Sequence, residues 1–309
     1  MTSSPYLDML DALLRPGAAG LSARFVESQL RFVAGCQQSD GGFRGRDGGS
    51  DAYYTDFALR TLAWLAPDHG ALGPAAGYLA RRPSPPRSVV ECFNVLHAHR
   101  LLEGAGRAGG GPDALRLTEW LYGQLLPAGG FARWPDDQRA SAYHTFLGAL
   151  CFQMLGGEMP ASEDAAGALA ALGRPDGGFA ELAGQAASQT SATAAAVAFL
   201  LMHDALPEDE AAKPAQFLAA MQSADGGLKP HAAVGAGDLL STFTGLLTLW
   251  GLGALATIDL AAVARFLRGT AHPAGGFVSC LGDRSPDVEY TYYGVGTLAL
   301  LRAWDRAES

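Results

Sequence analysis

Carboxylate side chains recur at equivalent places in the chain, directly before or within the first turn of apolar segments that read as helices. They are Asp51, Asp238, Asp287 and Glu289. Like charges held close together raise the pKa of at least one carboxyl, which can then donate a proton near neutral pH. Asp and Glu at these positions are equally suited to capping a helix and complementing its dipole, so both roles stay open.

Aromatic side chains accompany these carboxylates. Aromatic walls stabilise carbocations by cation–π attraction and exclude water from them, although packing is the commoner role of a tyrosine in a buried helix. Two polar residues, Glu91 and His144, occupy equivalent positions in consecutive segments. If these segments lie side by side, the two side chains can form a structural hydrogen bond or a proton relay. The aromatic candidates for substrate contact are Tyr53, Tyr54, Tyr143, Phe243, Tyr290 and Tyr293.

The elements that must position these residues are six copies of one unit. Gly-Gly followed by a large apolar residue occurs at residues 41, 129, 177, 226 and 275, with spacings of 88, 48, 49 and 49. The first spacing leaves room for a copy without its glycines. Each pair follows an amphipathic helical pattern and precedes a more apolar one, so six two-helix units can bury their faces by closing into a ring. The second helices align as Asp51–Thr55, Ser88–Cys92, Ser141–Thr145, Ala187–Ser191, Asp238–Thr242 and Asp287–Thr291.

The Gln-x-x-Asp-Gly-Gly motifs that begin at Gln37 and Gln222, with the aligned inner helices, resemble a known superfamily. It contains protein prenyltransferase β-subunits, squalene and class II terpene cyclases, and the complement thioester domain. The resemblance covers about residues 20–303. It implies an all-α fold, an (α/α)6 toroid, whose cavity holds an isoprenoid in the first two groups. We expect one domain over residues 1–309, with residues 1–20 peripheral.

The resemblance to class II cyclases gives Glu289 the position of the acid that protonates an alkene. Asp287 lies beside it, and Asp51 and Asp238 come from neighbouring repeats. The expected activity is therefore acid-initiated cyclisation or isomerisation of a hydrophobic isoprenoid. Two alternatives remain, a zinc-independent prenyltransferase and a non-catalytic toroid that binds a lipid or a partner, so the sequence leaves open whether the protein is an enzyme.

The zinc site of the protein prenyltransferases is not reproduced. In that family Asp and Cys of the fifth repeat and His of the sixth hold the metal. Here Asp238 remains, but Leu240 and Tyr290 stand at the other two positions, and the one Tyr-His-Thr, which contains His144, lies in the third repeat. One carboxylate cannot supply a three-ligand site, so we expect no metal.

The diphosphate contacts of that family are also mostly absent. Arg46, with Arg44, is the candidate replacement, because arginine can bind a phosphate through two parallel hydrogen bonds. We expect no cofactor, except Mg²⁺ if the substrate carries a diphosphate.

Composition narrows the possible partners. The chain is 49% hydrophobic and 17% charged, which excludes intrinsic disorder, and its net charge of −9 argues against nucleic acid. The uncharged stretch from Leu239 to Ile258 lies in register with the repeat and has no basic anchor, so no transmembrane segment is expected. Four scattered cysteines without a signal peptide favour the cytoplasm, and a partner subunit stays open.

Overall fold

A computed structural model describes residues 5–82, 84–107 and 110–307. Within these ranges the chain forms thirteen α-helices, one short 3-10 helix (Leu255–Thr257) and no strand. None of the described helices is both long and apolar enough to cross a membrane. The helices are α1 (Tyr6–Ala19), α2 (Ala23–Gly35), α3 (Ala52–Leu65), α4 (Leu72–Ala80), α5 (Val89–Gly104), α6 (Ala114–Gln124), α7 (Ala142–Met154), α8 (Ser162–Ala170), α9 (Thr190–Met202), α10 (Ala212–Ala220), α11 (Leu239–Gly251), α12 (Leu260–Thr270) and α13 (Val288–Ala307).

After α1 the helices alternate as six pairs, from α2/α3 to α12/α13, which confirms the fold class expected from the repeats. In four of the six pairs the second helix is the more apolar one. The sequence expectation is wrong for α4/α5, where the first helix is the more apolar, and α12 and α13 are alike. In α9, for example, nine of the thirteen residues are buried. Helices of this kind can be apolar all round because other helices cover every face.

The described residues divide into two compact units. The first unit contains residues 8–117 and 267–307 apart from the undescribed positions, and the second contains residues 5–7 and 118–266. In the first unit α3 contacts both α5 and α13, so the first and sixth repeats touch as predicted. In the second unit α9 contacts both α7 and α11, while α8 and α10 pack against α9. That the whole chain is one domain stays a prediction.

The Gly-Gly turns pack directly against the backbone of an adjoining helix. Gly41 has a φ of +90°, and a Cβ there would lie 2.1 Å from the carbonyl oxygen of Pro74. Gly275 has a φ of +100°, and its Cβ would lie 2.3 Å from the carbonyl oxygen of Ser28. A larger side chain would therefore obstruct helix packing, as the repeat predicts.

A threonine in the first turn of the second helix joins the preceding Gly-Gly turn to that helix by hydrogen bonds. The hydroxyl of Thr55 accepts a hydrogen bond from the backbone N–H of Phe43 at 2.9 Å and donates to the carbonyl of Asp51. Thr145, Thr242 and Thr291 accept the equivalent backbone N–H bond in their repeats.

The fourth repeat corrects the sequence alignment. Thr193 makes the equivalent bond to Phe179, and Gln189 occupies the position before the helix. The expected segment Ala187–Ser191 was therefore placed two residues too early. No Asp or Ser stands at position 189, so the usual capping signal that marks the helix start is missing there.

Helix α1 packs against the far ends of helices in the first unit. Gly17 lies against the backbone of Ala299, and a Cβ would sit 2.0 Å from its carbonyl oxygen. The indole of Trp64 donates to the Asp11 carboxylate at 3.0 Å, and Leu14 is fully buried. Residues 8–19 thus contact the C-terminal half of α3 and the middle of α13.

Candidate functional site

Glu289 in the first turn of α13 meets a tyrosine of α3. The Tyr53 hydroxyl donates to Glu289 Oε1 at 2.7 Å, and the Tyr293 hydroxyl also hydrogen-bonds this carboxylate. The contact between α3 and α13 creates this arrangement, because both helices begin at the same end of the first unit. Phenol hydroxyls therefore hold the glutamate, and no cationic side chain of the described residues is bonded to it.

Burial is the largest influence on Glu289 and raises its pKa above the ordinary value. The hydrogen bond from Tyr53 opposes the rise, whereas the negative charge of Asp287 adds to it. The pKa of Asp287 is raised as well, mainly by burial. A carboxyl in these surroundings is suited to carry a proton and release it to a neighbouring group.

Aromatic rings pack against one another next to this pair. The Tyr53 and Phe57 ring centroids lie 4.8 Å apart, and Phe57 contacts the rings of Tyr292 and Tyr293 at 5.4 Å each. Trp64 stacks on Tyr292 at 4.8 Å. On α3, Tyr53, Phe57 and Trp64 recur at helical spacing, so they form one aromatic face.

Charged residues that the sequence analysis missed lie within this aromatic layer. Asp56 is fully buried and forms an ion pair with Arg60, and its Oδ1 lies 2.9 Å from His97 Nδ1. The Arg60 guanidinium faces the rings of Phe57, Phe93 and Tyr292 at 4.6 to 5.2 Å. Burial disfavours its charge, but the Asp56 carboxylate nevertheless raises the pKa of Arg60.

A sequence signal for this network exists. Asp56 and Arg60 are spaced i,i+4 in an otherwise apolar helix, where unpaired charges would be costly. Arg60 and His97 each lie nine positions after the residue that caps their helix, Asp51 and Ser88. Aligning the helices at their caps would have placed the two side chains at the same depth.

Arg46 does not present a free cation to a diphosphate. It forms two contacts with Asp283, the shorter at 2.5 Å, lies 3.7 Å from Asp287 and covers the Tyr290 ring at 5.4 Å. Burial raises the pKa of Asp283, but hydrogen bonds from Ser279 and Arg46 prevail and hold it below its ordinary value. The carboxylates of Asp283 and Asp287 thus balance the positive charge of Arg46.

A cavity of about 390 Å³ opens at the N-terminal ends of α3 and α5. Asp51, Tyr53 and Glu91 line it, so three of the predicted site residues meet there. Glu91 pairs with Arg82 and with Arg87. Burial raises the pKa of Glu91, but hydrogen bonds from these two arginines prevail and lower it to about 2. Glu91 is therefore a permanent anion near neutral pH.

Three of the four predicted acids cap their helices. Asp51 accepts from the Tyr53 N–H at 2.7 Å, Asp238 from the Ser241 N–H at 2.7 Å and Asp287 from the Glu289 N–H at 2.8 Å. Tyr54, in the first turn of α3, packs its ring against Gly45. The capping role that the sequence left open is thus present in all three, whereas the Glu289 carboxylate is bonded to tyrosine hydroxyls.

The remaining predicted residues belong to the second unit. Phe243 is buried in α11, and Tyr143 is exposed at the start of α7. His144 Nδ1 lies 2.8 Å from the Ser141 hydroxyl, so both His144 and Glu91 have partners close in sequence. Glu181, which the sequence analysis overlooked, contacts the same hydroxyl.

The residues around Asp238 do not fit zinc. Its two oxygens bind the backbone N–H and the hydroxyl of Ser241, and Leu240 offers no ligand. Among the described residues no group of three or more His, Cys, Asp or Glu side chains is placed to hold a metal ion. That the protein binds no zinc stays a prediction.

The paired helices and the turn chemistry define an α/α toroid. The chain belongs to the prenyltransferase α/α toroid domain family, whose profile matches residues 9–80, 84–233 and 206–309. No curated protein sequence matches it.

Solved structures share the fold at low identity. Protein geranylgeranyltransferase-I of Candida albicans, complexed with GGPP, is 13% identical with a TM-score of 0.68, covering 92% of each chain. A variant of the type II terpene cyclase MstE from Scytonema, complexed with its substrate geranylgeranyl dihydroxybenzoate, is 14% identical with a TM-score of 0.61, covering 96% of this chain and 99% of that one. A protein from Actinoplanes is 19% identical with a TM-score of 0.59, covering 93% and 99%.

Proposed function

We propose that this protein is an enzyme that starts cyclisation or isomerisation of an isoprenoid by proton transfer from Glu289. The observation that carries the proposal is the partly buried Glu289 carboxyl, held by the Tyr53 hydroxyl beside a layer of aromatic rings. A buried acid can protonate an alkene, and the rings would stabilise the resulting cation. The isoprenoid ligands of two fold relatives, a geranylgeranyltransferase and a terpene cyclase, support the substrate class.

The surroundings of Arg46 favour a substrate without a diphosphate. Its pairing with Asp283 and Asp287 leaves little net positive charge to attract a phosphate group. Prenyl transfer from a diphosphate is therefore the less supported reaction, and no Mg²⁺ requirement is proposed.

The test is turnover of a panel of geranyl, farnesyl and geranylgeranyl compounds, each supplied with and without a diphosphate and with and without Mg²⁺. Conversion of a diphosphate-free member to a cyclic or isomerised product is expected. Glu289→Gln keeps the shape of the side chain and removes the acid, so it should lower kcat by about 10²–10⁴-fold. Binding of the same substrate should change little.

The matched control is Glu27→Gln, an exposed glutamate on α2 of the same unit. It should leave turnover unchanged. Full activity of Glu289→Gln would contradict the proposed mechanism. Binding of an isoprenoid without turnover by the unmodified protein would instead favour a non-catalytic binding toroid.

A further inference from the structure

Three polar groups of the second unit form a continuous hydrogen-bonded chain that ends at an accessible imidazole nitrogen. Glu181, in the loop after the Gly-Gly turn of the fourth repeat, contacts the hydroxyl of Ser141 through Oε1. The same hydroxyl lies 2.8 Å from His144 Nδ1. Ser141 is fully buried and caps α7 by accepting from the His144 backbone N–H at 3.1 Å.

For a neutral imidazole, counting hydrogens restricts this chain to two arrangements. A hydroxyl has one proton to donate and two lone pairs, and the His144 N–H already occupies one of those pairs. If Glu181 is protonated, it donates to Ser141, Ser141 donates to Nδ1, and the neutral imidazole carries its proton on Nε2. If Glu181 is ionised, Ser141 donates to it, Nδ1 donates to Ser141, and Nε2 carries no hydrogen and has a free lone pair.

The protonation state of Glu181 therefore decides whether His144 Nε2 is a hydrogen-bond donor or a base. Nε2 has no hydrogen-bond partner among the described residues, and it is not one of their fully buried unsatisfied atoms. Nε2 is consequently open to solvent, and a hydroxyl group of the size of a water molecule can approach it.

We propose that Glu181, Ser141 and His144 form an acid–base site that takes a proton from a hydroxyl group of a bound ligand. The ligand O–H bond breaks as the Nε2–H bond forms. The Nδ1 proton passes to Ser141 Oγ, and the Ser141 proton passes to Glu181 Oε1. The proton ends on the carboxyl, the ligand becomes an oxyanion, and the imidazole stays neutral throughout.

The electrostatics suit a relay that avoids a charged imidazole. Burial is the main cause that lowers the pKa of His144 to about 4, and Arg133 lowers it further. Burial also raises the pKa of Glu181, against the opposing effects of Ser141, the Tyr143 N–H and Arg133. The loop before α7 also carries Asp136, Asp137 and Arg139, of which Asp137 and Arg139 pair with each other.

The test is nitrogen-15 NMR of the intact protein labelled in histidine, with the His144 signals assigned from His144→Asn. As pH rises above 4, His144 should change from the Nε2–H to the Nδ1–H tautomer without passing through the imidazolium form. In Glu181→Gln the tautomer should no longer depend on pH. Ser141→Thr, which keeps the cap and the hydroxyl, should retain the change, whereas Ser141→Ala should abolish it.

Phenol serves as the hydroxyl probe. It should shift the His144 Nε2 signal with several-fold higher affinity above the tautomer transition than below it, and Glu181→Gln should remove that difference. One tautomer at every pH in the unmodified protein, an imidazolium that forms near pH 6.5, or no response to phenol would overturn the proposal. None of these outcomes depends on whether Glu289 acts on an isoprenoid.

Discussion

Glu91 and Glu289 both lie in the first turn of a helix in the first unit, yet their surroundings drive their acidities in opposite directions. Arg82 and Arg87 bond the carboxylate of Glu91 and lower its pKa to about 2. Tyr53 bonds Glu289, whose pKa burial raises. Burial raises the pKa in both cases, so the partners decide the outcome. A cationic partner fixes the charge, whereas a phenol leaves the proton exchangeable.

The largest expected effect comes from breaking the buried ion pair beneath Glu289. Asp56→Ala leaves Arg60 buried without its counter-charge, which should reduce the free energy of unfolding by about 3–5 kcal/mol. Urea denaturation measures this, with Asp8→Ala as a control that removes a surface partner of Arg100. A loss below about 1 kcal/mol would mean that water compensates Arg60.

Glu91→Gln should destabilise the protein by about 2 kcal/mol at pH 7, because two charge-assisted contacts are lost. Since the folded pKa is lowered from 4.5 to about 2, the contribution of Glu91 is complete above pH 4.5 and disappears as the pH falls from 4.5 to 2. The variant should therefore lose less stability in acid than the unmodified protein. Equal acid sensitivity of the two proteins would show that Glu91 is not bound to arginine in solution.

Tyr53→Phe tests the phenol side of the comparison. It should reduce the free energy of unfolding by about 1.5 kcal/mol. It should also raise the pKa of Glu289 further, because the removed hydroxyl stabilised the ionised form. In an active enzyme the alkaline limb of the kcat profile should move to higher pH. A move to lower pH would mean that Tyr53 stabilises the protonated form instead.

The smallest expected effect concerns a carboxylate that only caps. Asp51→Ala should reduce the free energy of unfolding by about 1 kcal/mol, because the hydrogen bond from the Tyr53 N–H is lost. Asp51→Ser, which supplies another good cap, should retain most of that stability. Thermal unfolding of the two variants measures the difference. An Asp51→Ser variant as unstable as Asp51→Ala would point to a role beyond capping.

The repeats predicted the fold because each repeated residue type has a structural role within its own repeat or at the adjoining helix. The glycines of the pairs avoid the backbone of an adjoining helix, and the aligned threonines hold the turns. Glu289 and Tyr53 could be named as candidates for the same reason, since both follow a capping Asp.

The partners of these residues could not be read from the sequence. Arg60 approaches Tyr292 through α3–α13 packing, although 232 positions separate them along the chain. Arg46 was predicted to be available to a substrate, but Asp283, from a distant loop, binds it. Such pairings depend on which helices touch and on the direction of each side chain, and repeat spacing gives neither.

The most direct measurement is the carboxyl titration of Glu289 and Glu91 by carbon-13 NMR in protein labelled at glutamate, with the two signals assigned from Glu289→Gln and Glu91→Gln. The two residues should titrate in separate pH ranges. Glu91 should remain ionised down to about pH 2, and Glu289 should take up its proton above pH 4.5. A Glu289 signal that titrates at or below 4.5 would contradict the conclusion that this carboxyl is a proton donor.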